Sequence, residues 1–166
     1  MENLEFLKIR RSVRAFQNKN IPRVELEKIV DSARFAPSAR NIQPWEFVVV
    51  TDKNKLKELA GLGQNAAFMA QSAACIAVFS IDTNYFLEDG CAATCNILLA
   101  ATALGIGSCW IAGDKKPYCR QVNSLLNAPA GMKLISMIAL GYPQEDGAFK
   151  VASKKELKDL IHWEKF

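Results

Sequence analysis

The sequence has few residues that bind metals or form disulfides. It contains a single histidine, His162, and five cysteines, none of them in a C-x-x-C pair. An odd number of cysteines without that spacing does not predict a disulfide framework or a zinc site, so we expect reduced thiols and no metal. The first residues include acidic side chains and lack the apolar segment of a signal peptide, and we therefore expect a cytoplasmic protein.

A strong charge of either sign is also absent. The chain has 21 Lys and Arg against 17 Asp and Glu, a net charge of +4. The basic residues do not form a long run, so nucleic acid is not an expected partner, and a local cluster for one phosphate accounts better for the excess. With 166 residues, 50% of them hydrophobic, and no repeat or linker, we expect one domain over residues 1–166.

One stretch has no formal charge at all. Residues 91–113 are long enough to suggest a membrane span. Thr94, Asn96 and Gly105 interrupt the apolar pattern, however, and a buried helix followed by a strand explains it better. We therefore expect no membrane association, with a small membrane protein built on this stretch as the alternative.

Helical and strand patterns alternate along the chain, which predicts a layered architecture of helices and strands. Helices are predicted at residues 3–9, 22–35, 53–60, 64–74, 89–104 and 117–126, and strands at 47–51, 75–81, 108–111 and 134–140. Near the end, Ser153 and Glu156 form a capping box, which predicts a helix with Leu157 on its apolar side. Lys154 and Lys155 would lie in its first turn, where cations are unfavourable unless an anion is nearby.

Two polar stretches suggest function. In residues 36–47, APSARNIQPWEF, two prolines stiffen a segment in which Ser38, Asn41 and Gln43 can both donate and accept hydrogen bonds. A helix-to-strand connection does not need so many such groups, although a capped surface loop remains the structural alternative. The arginines of residues 10–14 either complement the end of the first helix or, with Ser12, hold a phosphate.

Together these stretches resemble the nitroreductase family of FMN-dependent oxidoreductases. Four segments match that family in order and spacing: RRSVRAF at 10–16, APSARNIQPWEF at 36–47, LGIGSCWI at 104–111, and LGYP at 140–143 with the tail through residue 164. The resemblance implies an α+β layered sandwich whose central sheet is mixed but mainly antiparallel and is flanked by helices. It also implies an intertwined homodimer with two FMN sites at the interface.

The resemblance assigns roles to individual residues. Arg10, Ser12 and the tail lysines would contact the FMN phosphate, and Arg14 would face the pyrimidine edge of the ring. Pro37, Ser38 and Asn41 would come from the other subunit, and the backbone around Ala112 and Gly113 would approach flavin N5. The complete implied set is Arg10, Arg11, Ser12, Arg14, Pro37, Ser38, Asn41, Gln43, Gln64, Gly107, Ala112, Gly113, Lys154 and Lys155.

The implied reaction is ping-pong: NADH or NADPH reduces FMN, which then reduces a nitroaromatic, a quinone or a similar small acceptor. Because FMN carries the chemistry, no catalytic side chain is expected. His162 is interpreted as structural, and Cys109 as unreactive, since its apolar strand lacks the cationic, exposed setting of a reactive thiolate. The short chain predicts an open substrate pocket without a lid. A flavin-storage protein, or dehalogenation or desaturation on the same fold, are the alternatives.

Overall fold

The structure is a computed structural model that describes residues 4–145 and 148–166. Its helices are α1 (Glu5–Ile9), α2 (Arg23–Ala33), α3 (Lys53–Leu62), α4 (Phe86–Ala103) and α5 (Cys119–Leu125). Its strands are β1 (Trp45–Val50), β2 (Ala74–Ser80), β3 (Gly107–Ala112) and β4 (Lys133–Gly141). Short 3-10 helices occur at Ala39–Asn41, Ala67–Gln71 and Leu157–Asp159.

The strands form one sheet in the order β1-β2-β4-β3, and all neighbouring strands are antiparallel. A parallel bridge between Ser12 and Ser108 adds the N-terminal segment beside β3. Strands β2 and β4 lie at the centre and are almost completely buried, as expected for continuous apolar runs. The expected α+β fold with a mainly antiparallel sheet is confirmed.

Helices and the N-terminal segment cover the two faces of the sheet. On one face, α2 and α4 enclose a core that includes Ile29, Ile97 and Ile138. On the other face, α3, α5 and the residues around Val13 pack against Met137. Helix α4 and strand β3 account for the uncharged stretch 91–113, and within the described ranges no helix has the length and apolar character needed to cross a bilayer.

Paired glycines let the N-terminal segment lie directly on the sheet. Gly107 of β3 is opposite Gly141 of β4. A Cβ atom on Gly107 would lie 2.9 Å from Val13, and one on Gly141 would lie 2.7 Å from Phe16. The Val13 N–H donates to the Ser108 carbonyl at 2.9 Å, which fixes the segment there. The arginine-rich residues 10–14 are thereby held beside the first residues of β3.

The predicted C-terminal helix is wrong. The structure has only the 3-10 helix Leu157–Asp159, with no side-chain cap, so the capping box does not form. The apolar side chains of this tail are exposed, 67% for Leu157 and 81% for Trp163. A short helix is marginal in water unless it buries its apolar face, and among the residues described here none covers the apolar side chains of the tail. Lys154 and Lys155 therefore lie in exposed irregular chain rather than in a helical first turn.

The helix predicted at residues 64–74 is also wrong, because only the 3-10 helix Ala67–Gln71 forms there. This tighter turn places Met69 fully in the core, and the Ser72 hydroxyl donates to the Met69 carbonyl at 2.7 Å, just before β2 begins. Helix α3 continues through Gly61 to Leu62, two residues beyond its predicted end. Asp52 caps the start of α3, since its carboxylate accepts the Lys55 N–H at 2.8 Å.

Candidate functional site

A cavity of about 420 Å³ opens beside the end of β3. It lies between the N-terminal segment, the turn that follows α3, and the connection from β3 to α5. Its lining residues are Arg14, Asn65, Phe68, Cys109, Trp110, Ile111, Ala112, Lys116 and Tyr118. Among the described residues, the lining has three aromatic side chains, two cations and no carboxylate, which suits a flat ring that carries negative charge.

Arg14 forms one cationic side of this cavity. Its guanidinium carbon lies 5.8 Å from the centroid of the Phe68 ring, within the range of a cation–π contact. Its Nη1 atom also lies 3.5 Å from the Ser12 carbonyl. These contacts hold the guanidinium at the cavity, where it can meet an anionic ring edge.

Cys109 lies among the N-terminal cations. Burial raises the pKa of its thiol, while Arg14, a hydrogen bond with Ser12 and the charge of Arg10 act in the opposite direction. The prediction that Cys109 has no cations around it was therefore wrong. The N-terminal segment lies beside β3 and brings its arginines close to this thiol. Burial is the larger effect and keeps the thiol protonated. Arg10, Ser12 and Arg14 thus all lie near Cys109.

Gly113 directly follows β3, and its packing against β4 requires glycine at this position. Its N–H donates to the Ile135 carbonyl at 3.0 Å, so this amide is already used within the protein. A Cβ atom at this position would lie 2.6 Å from the carbonyl carbon of Ile135. The backbone of β4 thus requires glycine here, whereas Ala112, the preceding residue, lines the cavity.

The chain then makes a compact turn, residues 112–119, which we call the β3–α5 turn. The Tyr118 hydroxyl donates to the Ala112 carbonyl. The Cys119 thiol donates to the Gly113 carbonyl at 2.7 Å, and the Lys116 N–H donates to the same carbonyl at 3.1 Å. Burial raises the pKa of both Tyr118 and Cys119, so both groups remain protonated donors at neutral pH.

The polar loop at 36–47 is stabilised by its own hydrogen bonds. The Ser38 hydroxyl oxygen accepts the Gln43 N–H at 2.9 Å, and the Gln43 side chain donates to the Asn41 carbonyl at 3.3 Å. Arg40, Asn41 and Gln43 all have positive φ angles of 52–55°. Non-glycine residues seldom adopt that conformation, and its repetition is typical of a loop whose shape serves a function.

A buried carboxylate on α4 anchors this loop. Asp89 is 6% exposed and accepts the Ala39 N–H at 3.0 Å, while its second oxygen has no partner among the described residues. Ala36 and Trp45 pack nearby against Ala93 of α4. The loop therefore lies on the α2–α4 side of the sheet and does not line the cavity at Arg14, although the resemblance assigns it to a second subunit's site.

The remaining candidate residues lie outside the cavity lining. Gln64 is exposed and precedes the lining residue Asn65, Arg11 is half-buried, and Lys154 and Lys155 are exposed in the tail. Sequence reasoning missed Asn65, Phe68, Lys116, Tyr118 and Asp89. The one available signal was the sequence Gly-Asp-Lys-Lys-Pro-Tyr directly after β3, a short polar turn that follows a strand at a predicted site.

A second, larger cavity of about 820 Å³ lies between α2 and β1. Its inner wall includes Leu26, Val30 and Phe47, and charged residues of α2 form its rim. β1 is an edge strand of the sheet, and its Val49 is 41% exposed. This groove, which we call the α2–β1 groove, is an apolar surface next to unpaired backbone groups.

Two family profiles match the chain. The profile of the nitroreductase family matches residues 7–68, and the profile described as "Putative TM nitroreductase" matches residues 62–165. A protein of Archaeoglobus fulgidus described as "Putative NADH dehydrogenase/NAD(P)H nitroreductase" is 34% identical, with 99% of each chain covered. An iodotyrosine deiodinase of Danio rerio is 26% identical over 93% of this chain and 64% of its own.

A solved structure extends the comparison to the fold. The FMN-dependent nitroreductase of Clostridium difficile R20291 has a TM-score of 0.91 to this chain and is 28% identical to it. The alignment covers 98% of this chain and 99% of that one. The likeness therefore includes all the elements that surround the cavity.

Proposed function

The chain belongs to the nitroreductase family, and on that premise we propose that it is an FMN-dependent oxidoreductase. It would take hydride from NADH or NADPH and reduce a nitroaromatic, a quinone or a similar small acceptor in a ping-pong reaction. The observation that carries this proposal is the cavity beside β3, with aromatic walls, Arg14 at one side and no carboxylate among the described residues that line it.

The residues around the cavity fit FMN in their chemistry. Phe68 and Trp110 offer apolar surface to a flat ring, and Arg14 offers a fixed positive charge to an anionic ring edge. Arg10 and Ser12 are the donors available for the phosphate, which guanidinium groups bind bidentately. Bound FMN supplies the hydride acceptor and donor, so the protein's contribution is to bind, orient and tune it.

We further propose that the protein works as a homodimer in which each tail, residues 148–166, covers the α2–β1 groove of the other copy. Support comes from two exposed apolar surfaces that need a partner: the tail, with Leu157 and Trp163, and the groove beside edge strand β1. The same assembly would bring Ser38 and Asn41 to the partner's flavin, as the resemblance implies. Burial of both surfaces would stabilise the dimer through the hydrophobic effect.

A charge placed in the groove tests the dimer. We expect Val49→Asp to shift the protein from dimer to monomer in light scattering, because dimerisation would have to remove a charged carboxylate from water. Val24→Asp is the matched control, since Val24 is 55% exposed on α2 and does not line the groove. A Val49→Asp protein that stays dimeric while remaining folded by circular dichroism would refute this mode of association.

The oxidoreductase proposal is tested by the visible spectrum of the purified protein, followed by anaerobic addition of NADH and then of NADPH. We expect flavin bands that bleach with one or both donors and return when a nitroaromatic or a quinone is added. A flavin that neither donor reduces would favour storage. A colourless protein that does not take up added FMN would reject the proposal.

Dehalogenation is the second candidate, favoured by the similarity to the deiodinase of Danio rerio. The same reduced protein can be given a halogenated phenol, and the released halide can be measured. Halide release together with slow reduction of nitroaromatics and quinones would favour this alternative over the main proposal.

A further inference from the structure

We propose that Lys116 forms an anion subsite in the flavin cavity, and that the electron acceptor carries a carboxylate beside its reducible ring. The inference rests on the proposed function, because it takes the cavity at Arg14 as the place where acceptors meet the flavin. It goes further by naming the acceptor's charge and the residue that recognises it.

The charges of the cavity point to an anionic ligand. Of the lining residues that the structure describes, Arg14 and Lys116 carry a charge, and none is a carboxylate. The guanidinium of Arg14 is in contact with the Phe68 ring at one side of the cavity. Within residues 4–145 and 148–166, Lys116 has no ion-pair partner, so its charge is available to a ligand.

Lys116 is also held more firmly than an ordinary surface lysine. Its N–H donates to the Gly113 carbonyl at 3.1 Å, and its own carbonyl accepts the Cys119 N–H at 3.2 Å. Tyr118 and Cys119 close the same turn through their side chains. Lys115 adopts a left-handed φ of 63°, a conformation that non-glycine residues adopt only where the surrounding structure fixes it.

The position of Lys116 favours the acceptor over the nicotinamide donor as the source of the anion. The cavity of about 420 Å³ is at the small end of ligand sites, so beside the flavin ring it leaves room for one small aromatic ring, whose substituents are the groups that would reach Lys116. The extra phosphate of NADPH is attached to the adenosine ribose, at the opposite end of the dinucleotide from the nicotinamide ring. A carboxylate on an aromatic acceptor is the group that fits.

Binding of non-reducible analogues tests the subsite without turnover. The oxidised, FMN-loaded protein is titrated with benzoate and with benzamide, and the flavin absorbance is followed. We expect Lys116→Gln to weaken the binding of benzoate about tenfold relative to that of benzamide, because the variant loses a hydrogen bond to a charged group. Lys115→Asn is the matched control, because it removes a neighbouring charge that does not line the cavity, and asparagine tolerates a left-handed φ.

Steady-state kinetics give the second measurement. The ratio of kcat/KM for 4-nitrobenzoate to kcat/KM for 4-nitrobenzamide should fall about tenfold in Lys116→Gln and keep its wild-type value in Lys115→Asn. In the same variants, the rates of flavin reduction by NADH and by NADPH should change in parallel, since both donors carry the same nicotinamide ring.

Three results would overturn the inference. One is an equal loss for charged and neutral ligands, which indicates a structural role for Lys116. Another is the same effect in Lys115→Asn, which indicates a diffuse surface charge, and the third is a selective loss with NADPH. A protein that binds benzoate through Lys116 but is not reduced by either nicotinamide would support the subsite and refute the proposed oxidoreductase function.

Discussion

Replacing Arg14 with methionine is expected to lower the midpoint potential of the bound flavin by about 40 mV. A charge-assisted hydrogen bond is worth about 2 kcal/mol, and for a two-electron couple about 1.4 kcal/mol corresponds to 30 mV. Arg14 lines the cavity, and Phe68 and the Ser12 carbonyl contact its guanidinium, so the charge is in place before the ring becomes anionic. The measurement is a spectroscopic titration against redox dyes.

Two further variants make the Arg14 result specific. Arg14→Lys keeps the charge, so the midpoint potential of the flavin should stay close to the wild-type value. FMN should bind more weakly, because an ammonium lacks the planar fork of a guanidinium. Arg11→Met removes a neighbouring cation that does not line the cavity, and we expect its potential to stay near that of the wild type. Equal shifts in Arg11→Met and Arg14→Met would show that only the total charge of the segment matters.

The strands were predictable because their signal is local. The prediction at residues 75–81 and the observed β2, Ala74–Ser80, differ by one residue at each end. A continuous apolar run at the centre of a sheet needs no information about its partners, since both of its faces are buried. Helix α4 was predictable for the same reason, because its length and lack of charge indicate burial on most sides.

The C-terminal tail shows that helical spacing in the sequence is not sufficient to predict a helix. Ser153, Glu156 and the apolar residues after them have helical spacing, yet the structure has only the 3-10 helix Leu157–Asp159. Helix formation in so short a segment depends on a surface that buries its apolar side chains. Spacing within the sequence cannot reveal that surface, and within one chain the tail lacks it.

The candidate site was predictable only in part, for a related reason. The cluster of Arg10, Ser12 and Arg14 could be read from the sequence because its members are adjacent in the chain. Lys116 becomes a lining residue only because the β3–α5 turn comes to lie opposite the N-terminal segment. Likewise, the residues next to Cys109 in the sequence are apolar, and the arginines that surround it come from a segment far away in the chain.

Gly113→Ala is expected to lower the free energy of unfolding by about 3 kcal/mol, the upper range for forcing an atom into a packed site. The added Cβ would lie 2.6 Å from the Ile135 carbonyl carbon and 2.7 Å from the carbonyl oxygens of Ile135 and Leu134. These are backbone atoms of β4, which hydrogen-bonds to β2 on one side and β3 on the other, so they cannot move without disrupting the sheet.

Urea unfolding of Gly113→Ala should therefore show a lower midpoint than the wild type with an unchanged slope. Gly61→Ala is the matched control, because a Cβ there meets nothing within 4 Å and alanine is compatible with the last turn of α3, so its stability should not fall. The β3–α5 turn begins at Ala112, so the folded Gly113→Ala protein should also bind FMN more weakly. Stability and FMN affinity equal to those of the wild type would mean that the turn is not fixed against β4, and the rigid presentation of Lys116 would then lose its physical basis.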